Sequence, residues 1–469
     1  MSIINKSSGL YTDHYELAMA QGYFLSGRKD TRVNFDYFFR KNPYKGGYAI
    51  FAGLANLLEA LQDFRYSDED CQFLKSIGFK EEFIQYLRNF RFKSDVFSVR
   101  EGEVVFANEP LLRVEGNIIE TQLVESLVLN TLNFQSLIAT KAARMRYAAG
   151  NRLLVDFGMR RAQGLGAIHA SRAAIIGGFN ASSNVYSASR FGFESTGTMA
   201  HSWVQSFDRE IDSFREFRRF YPDSSIFLVD TYDTLKYGVP NAITVAKEME
   251  KDNHKLTGIR LDSGDLAWLS KEARRMLDSE GLQYVKIIVS NQLDEHVIKS
   301  LISQKAPIDA FGVGTALVTG KGDGALDGVY KLTQVGDSPS MKVSENIRKT
   351  TLPGIKNVHR YVNGDNKFYA DGIEMEKSAV PDIIYHPFHP EQNCSLKGYS
   401  HNSIIEKVMD KGSVMREQSL DEIVKYAGER LAQLPEETKR FENPHIYKAG
   451  IGKELMSLRD SLKKKLWKP

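Results

Sequence analysis

The strongest constraint on the fold is a rhythm in the middle of the chain. Between residues 151 and about 335, five short apolar runs each end in polar residues: LLVDFG (153–158), SIFLVD (225–230), TGIRLD (257–262), KIIVSN (286–291) and DAFGVG (309–314). Helical stretches separate them. Strands alternating with helices predict βα units and a parallel sheet, open or closed into a barrel. In such sheets ligands gather at the carboxyl ends of the strands. Those ends carry Asp156, Asp230, Asp233, Asp262, Asp265 and Asn291. An Asp after a strand also caps the helix that follows. One such Asp favours capping; polar groups at successive strand ends favour a shared site.

The flanks have a different texture. Residues 1 to 150 mix helices with short strands and read as an N-terminal α/β domain. Leu54, Leu57, Leu58 and Leu61 recur at the spacing of one helix face. Ser67 before Asp68, Glu69 and Asp70 marks a helix start. Residues 96–114 alternate as strands do, interrupted by Gly102 and Pro110. One long helical pattern runs from Ile119 to Ala149, with Gly150 as its cap. Residues 151–335 form the repeating α/β domain. Residues 336–469 read as a mixed, β-then-helical region, in which Ser419 and Glu422 form a capping box.

Charge and cysteine content exclude several classes. Lys plus Arg total 62 and Asp plus Glu 59, a formal charge of +3, which argues against a nucleic-acid coat or a polybasic membrane binder. Cys71 and Cys394 stand far apart in no Cys-x-x-Cys pattern, which fits a reducing compartment and excludes a thiolate-rich zinc site. No secretory leader and no transmembrane stretch is expected, so a cytoplasmic location is anticipated. Two glycine motifs fail on inspection. Gly312-Val-Gly314 lacks the third glycine of a dinucleotide fingerprint, and Gly320-Lys321 is followed by Gly322 rather than Ser or Thr.

A set of longer segments is more specific. YTDHYELAMAQGYF (11–24), FDYFFRKNPYKGGYAIFAGL (35–54), VDFGMRRAQG (155–164), GGFNASSNVYSASRFG (177–192), STGTMAHSWVQSF (195–207), VDTYDT (229–234), GIRLDSGDL (258–266), VSNQLDE (289–295) and FGVGTALVT (311–319) occur in that order. Together they resemble nicotinate phosphoribosyltransferase, from Tyr11 to about residue 360. The resemblance implies an irregular, TIM-like α/β barrel of the type II phosphoribosyltransferase kind, with an N-terminal α/β domain that the C-terminal region rejoins. It implies phosphoribosyl transfer from phosphoribosyl pyrophosphate to nicotinate, coupled to ATP hydrolysis and assisted by Mg²⁺. It also implies a homodimer in which each site borrows residues from the other subunit.

The residues fit those tasks chemically. A flat aromatic acid needs a stacking face and a cation. The resemblance gives these roles to Phe157, Arg260 with Thr198 beside it, and Tyr15 from the second subunit. The related enzyme of nicotinamide carries an Asp, in a Gly-Thr-Asp-Thr-Val run, where this chain has Ser183. A Ser there donates to a carboxylate that an Asp would repel. Phosphate oxygens suit Arg160 and Arg161 and the turn at Gly312, Gly314 and Thr315. Asp230, Asp262 and Asp265 suit ribose hydroxyls or metal, with Asp262 expected among the catalytic residues. His201 matches the family's phosphorylated histidine, a nucleophile towards the γ-phosphoryl of ATP. Two alternatives remain at this stage: nicotinamide as the substrate, or a non-catalytic barrel that binds phosphorylated metabolites.

Overall fold

All five apolar runs form strands in the computed structural model, which describes residues 9–346 and 349–466. The parallel sheet comprises β1 (Leu153–Asp156), β2 (Ala181–Ser182), β3 (Ile226–Leu228), β4 (Gly258–Leu261), β5 (Lys286–Ser290) and β6 (Ala310–Val313). Only β2 escapes the sequence pattern, since two residues carry no periodicity. The strand order is β2-β1-β6-β5-β4-β3, with every neighbouring pair parallel. Among the described residues, the end strands β2 and β3 do not pair with each other. Consecutive Ile287, Ile288 and Val289 are all buried, so both faces of the sheet are covered, as parallel sheets require. The covering helices include Leu165–Ile176, Val239–Lys251, Leu266–Ser279 and Glu295–Ser303. This unit spans Lys141–Gly324.

The second unit combines Met1–Thr140 with Ala325–Pro469. The chain re-enters it before residue 335, because the strand Gly328–Val335 pairs antiparallel with Arg32–Phe39. Val33, Phe35, Tyr37 and Phe39 point from that strand into an apolar core shared with Leu54, Leu57, Leu58 and Leu61. Each such leucine contributes about 1.5–3 kcal/mol by leaving water. Asn34 and Asp36, on the opposite face, are buried too. Asp36 pairs with buried Lys356 at 2.8 Å. Further on, Arg360 is enclosed between Glu103 at 2.6 Å and Asp371 at 2.5 Å. The strand Ile405–Asp410 adds to Asp95–Val99. C-terminal segments therefore complete the N-terminal sheet and neutralise its buried charges.

Two local expectations meet different outcomes. The helix start at Ser67 and the capping box of Ser419 with Glu422 both form, and at Ser67 the structure adds a reciprocal bond with Asp70. The single helix expected over 119–149 is instead two, Ile118–Leu123 and Glu125–Ala149, broken at Val124 (φ −100°, ψ 0°). A break of one residue leaves the apolar spacing almost unchanged, which is why periodicity misses it. Gly150 stops the second helix at φ +60°. Among the described residues no helix is long and apolar enough to cross a membrane.

Candidate active site

Strand register alone decides which side chains meet. In the parallel ladder Val289 stands opposite Leu261, so the next residues, Ser290 and Asp262, emerge side by side. Ser290 also stands opposite Gly312, and Asp156 opposite Val313. Leu228 pairs with Arg260, which brings Asp230 next to Asp262. The carboxyl ends of β1, β4, β5 and β6 thus open into one cleft of about 700 Å³. Phe157, Arg160, Arg161, Ser183, Thr198, Arg260, Asp262, Gly314 and Thr315 line it.

Arg260 is the hub. Its Nε donates to Ser290 Oγ at 2.9 Å, Nη1 to Thr198 Oγ1 at 2.9 Å and Nη2 to Asp262 Oδ1 at 3.1 Å. Its guanidinium carbon lies 5.3 Å from the Phe157 ring centroid, within cation–π range. The ring is seated by an absence: a Cβ on Gly312 would approach Phe157 Cε2 to 2.3 Å. Likewise a Cβ on Gly158 would lie 2.1 Å from Val318. These glycines are required for close approach, not for a positive φ.

The acids divide by task. Asp262 accepts a hydrogen bond from Ser290 Oγ through Oδ1 and faces His201 Nε2 at 3.8 Å through Oδ2. His201 Nδ1 lies 3.1 Å from Thr231 Oγ1. Asp230 accepts from Asp262 N and Ser263 Oγ, both at 2.7 Å, and so shapes the loop after β4. Its Oδ1 is buried with no hydrogen-bond partner among the described residues. Asp156 is wholly buried; Ser171, Ser182 and Gly158 N donate to it, and burial pushes its carboxyl pKa up against those bonds. Asp265 caps the helix Leu266–Ser279 by accepting from Trp268 N at 3.1 Å, and Asp233 caps in the same way. Asp230, Asp265 and His201 do not line the cleft wall, and Tyr15 lies exposed in the other unit.

Sequence reasoning missed Ser290, Thr231, Gln292 and Lys321. Ser290 precedes Asn291, which the strand-end rule did single out. Asn291 and Gln292 both adopt positive φ, 82° and 45°, turning the chain sharply at the cleft. Lys321 belongs to the failed phosphate-loop motif, yet it lines the cleft. Among the described residues no three His, Cys, Asp or Glu side chains gather to hold a metal ion. Mg²⁺ does not need three; it commonly takes one or two carboxylates and fills its shell with substrate phosphates and water. Asp262, which lines the cleft, fits that donor set, and Asp230 beside it keeps one buried oxygen without a hydrogen-bond partner among the described residues.

A parallel α/β scaffold with cations, a stacking ring and a histidine–aspartate pair at its strand ends defines the general class: an enzyme-type cleft for an anionic, partly aromatic ligand. Comparison with known proteins narrows this. The family model for the nicotinate phosphoribosyltransferase (NAPRTase) family matches residues 153–377, and the models of its N-terminal and C-terminal domains match 10–133 and 355–459. The chain is 41% identical over 463 residues to the nicotinate phosphoribosyltransferase of Bacillus subtilis, covering 96% of this chain and 94% of that one. It is 30% identical over 517 residues to the Homo sapiens protein of the same name, covering 97% and 96%. The crystal structure of human nicotinic acid phosphoribosyltransferase superposes with a TM-score of 0.87 at 29% identity, over 96% of this chain and 99% of that one. The nicotinate-nucleotide pyrophosphorylase structure from Pyrococcus furiosus shares the fold at a TM-score of 0.73 and 24% identity, over 91% of this chain and 95% of that one. This chain belongs to the nicotinate phosphoribosyltransferase family.

Proposed function

We propose that the protein transfers phosphoribosyl from phosphoribosyl pyrophosphate to nicotinate, forming nicotinate mononucleotide and pyrophosphate in NAD biosynthesis. The observation that carries this is the gathering of Phe157, Arg160, Ser183, Thr198, Arg260, Asp262 and Thr315 around one cleft, in a chain of this family. The nicotinate ring stacks on Phe157. Its carboxylate takes an N–H of Arg260 and the hydroxyl of Ser183, where an Asp would repel it. Arg160 and Arg161 have no ion-pair partner among the described residues and take phosphate oxygens. Thr315, after Gly314, takes the 5′-phosphate.

In the reaction the pyridine nitrogen forms a bond to the ribose C1 as the bond to pyrophosphate breaks. Positive charge grows on the sugar ring, and Asp262 stabilises it. Asp262, with Asp230 beside it, would hold Mg²⁺, which would supply positive charge against the leaving pyrophosphate. Asp230 holds Asp262 N and so fixes the carboxylate that faces the sugar. The capping Asp265 borders the same loop. ATP enters through His201: a ring nitrogen attacks the γ-phosphoryl and ADP leaves. The phosphohistidine is hydrolysed later in the cycle. We further propose that the parallel sheet is an open, irregular barrel, that a second copy supplies Tyr15 to complete the aromatic sandwich, and that the enzyme is cytoplasmic.

The test is a side-by-side assay of nicotinate and nicotinamide with phosphoribosyl pyrophosphate and Mg²⁺, with and without ATP. Mononucleotide from nicotinate, faster with ATP, is expected. Faster turnover of nicotinamide, or no product from either, overturns the assignment. Labelling with γ-labelled ATP should leave acid-labile phosphate on the protein but not on His201→Ala.

A further inference from the structure

Ser290 carries a hydroxyl that touches both halves of the cleft. It is 2% exposed and sits at the last position of β5. Its oxygen accepts from Arg260 Nε, while its proton goes to Asp262 Oδ1. Arg260 is the group opposite Phe157; Asp262 is the group opposite His201. The two halves also meet directly, Arg260 Nη2 to Asp262 Oδ1. Thr198 holds the Nη1 end of Arg260, but the direct contact alone leaves the Asp262 carboxylate free to pivot about one shared oxygen. Ser290 supplies the second fixed point. It converts a single contact into a closed triangle and fixes which carboxylate oxygen turns towards His201.

We propose that Ser290 is a positioning residue that links occupancy of the two halves, so that a pyridine carboxylate at Arg260 and a phosphosugar at Asp262 each strengthen the binding of the other. The inference rests on the reading given under Proposed function and adds to it an energetic link. A ligand anion that draws Arg260 towards itself shifts Nε against Ser290, and Ser290 transmits that shift to Asp262. The link is reciprocal, because each ligand must alter the affinity of the other by the same factor. Ser290→Ala removes the relay without adding bulk. It leaves Asp262 still bonded to Arg260, Asp230 still holding Asp262 N, and the sheet register unchanged.

The test is calorimetric titration of the whole protein with nicotinate and with ribose 5-phosphate, each alone and each in the presence of the other. Ribose 5-phosphate lacks the pyrophosphate leaving group, so the pair cannot react. In the unmodified protein each ligand should tighten the other by about fivefold or more, the lower end of usual coupling between sites. In Ser290→Ala the coupling factor should fall by about threefold or more, to what the direct Arg260–Asp262 contact carries by itself. Ser290→Cys, which keeps a weak donor and acceptor, should recover part of the coupling. Undiminished coupling in Ser290→Ala, or absence of coupling in the unmodified protein, overturns the proposal. Failure of the unmodified protein to bind nicotinate at all instead overturns the substrate reading, and the proposal with it.

Discussion

Arginine serves opposite ends in the two units. In the unit holding the N- and C-terminal segments, Arg360 is 1% exposed and saturated by Glu103, Asp371 and the Val104 carbonyl. Around it Arg430 and the Tyr426 hydroxyl bond the same Glu103. Glu109, fully buried nearby, has its carboxyl pKa pushed up by desolvation and by the neighbouring Asp371. In the parallel-sheet unit Arg160 and Arg161 are exposed at the cleft and unpaired among the described residues. Burial with full pairing makes a charge part of the scaffold. Exposure without pairing, beside a stacking ring, leaves a charge available to a ligand.

Three measurements break or sharpen that contrast. The largest effect is expected from Arg360→Leu, which strands Asp371 without its cation and leaves Glu103 with Arg430 alone. Removing one member of a buried ion pair costs about 3–5 kcal/mol, and chemical denaturation should show a loss of that order. A loss below about 1 kcal/mol would mean water reaches the cluster, and the scaffold role would fall. Arg160→Ala should do the reverse. Stability should change by less than about 0.5 kcal/mol, as for surface positions. kcat/KM should drop by roughly 10- to 100-fold, the value of a hydrogen bond to a charged group. Full activity would remove Arg160 from the site.

The smallest effect is a pH dependence of opposite sign in the two units. Burial pushes the Glu16 carboxyl up to about 7 from 4.5, against hydrogen bonds from Ser126 and Thr12. The folded state then holds its proton longer, so Glu16 contributes stability at low pH that is lost as pH rises from 4.5 to about 7. Burial, with Arg172 beside it, pushes His169 down to about 4 from 6.5. Its contribution is full above 6.5 and is lost as pH falls towards 4. Denaturation of Glu16→Gln and His169→Gln across pH 4 to 8 should remove the falling and the rising component respectively. Parallel shifts with no change of slope would show that neither group titrates on unfolding.

The same division explains what was legible in advance. Five strands of the parallel sheet followed from apolar runs, because a strand covered on both faces must be apolar throughout. The candidate site was half legible. Arg260, Asp262, Phe157 and Thr315 stand in motifs with strand-end placement, and they do line the cleft. Asp265 and Asp233 carry the same signal but cap helices. A sequence pattern places an Asp after a strand without stating which way its carboxylate turns. Ser290 carried no signal, since a serine at a strand end is common; its meaning comes from register against Leu261 and Gly312.

By itself, then, the sequence determined the alternation of strand and helix, the polar strand ends and the family to which the chain belongs. These are local or collinear properties, written in neighbouring residues. Tertiary structure decided which acids cap and which converge, how Gly328–Val335 and the C-terminal strands complete the N-terminal sheet, and which arginines are neutralised. Those outcomes depend on ladder register and on partners hundreds of positions away, such as Glu103 and Arg360. Pairing energies at such separations exist only once the chain has closed the loop between them.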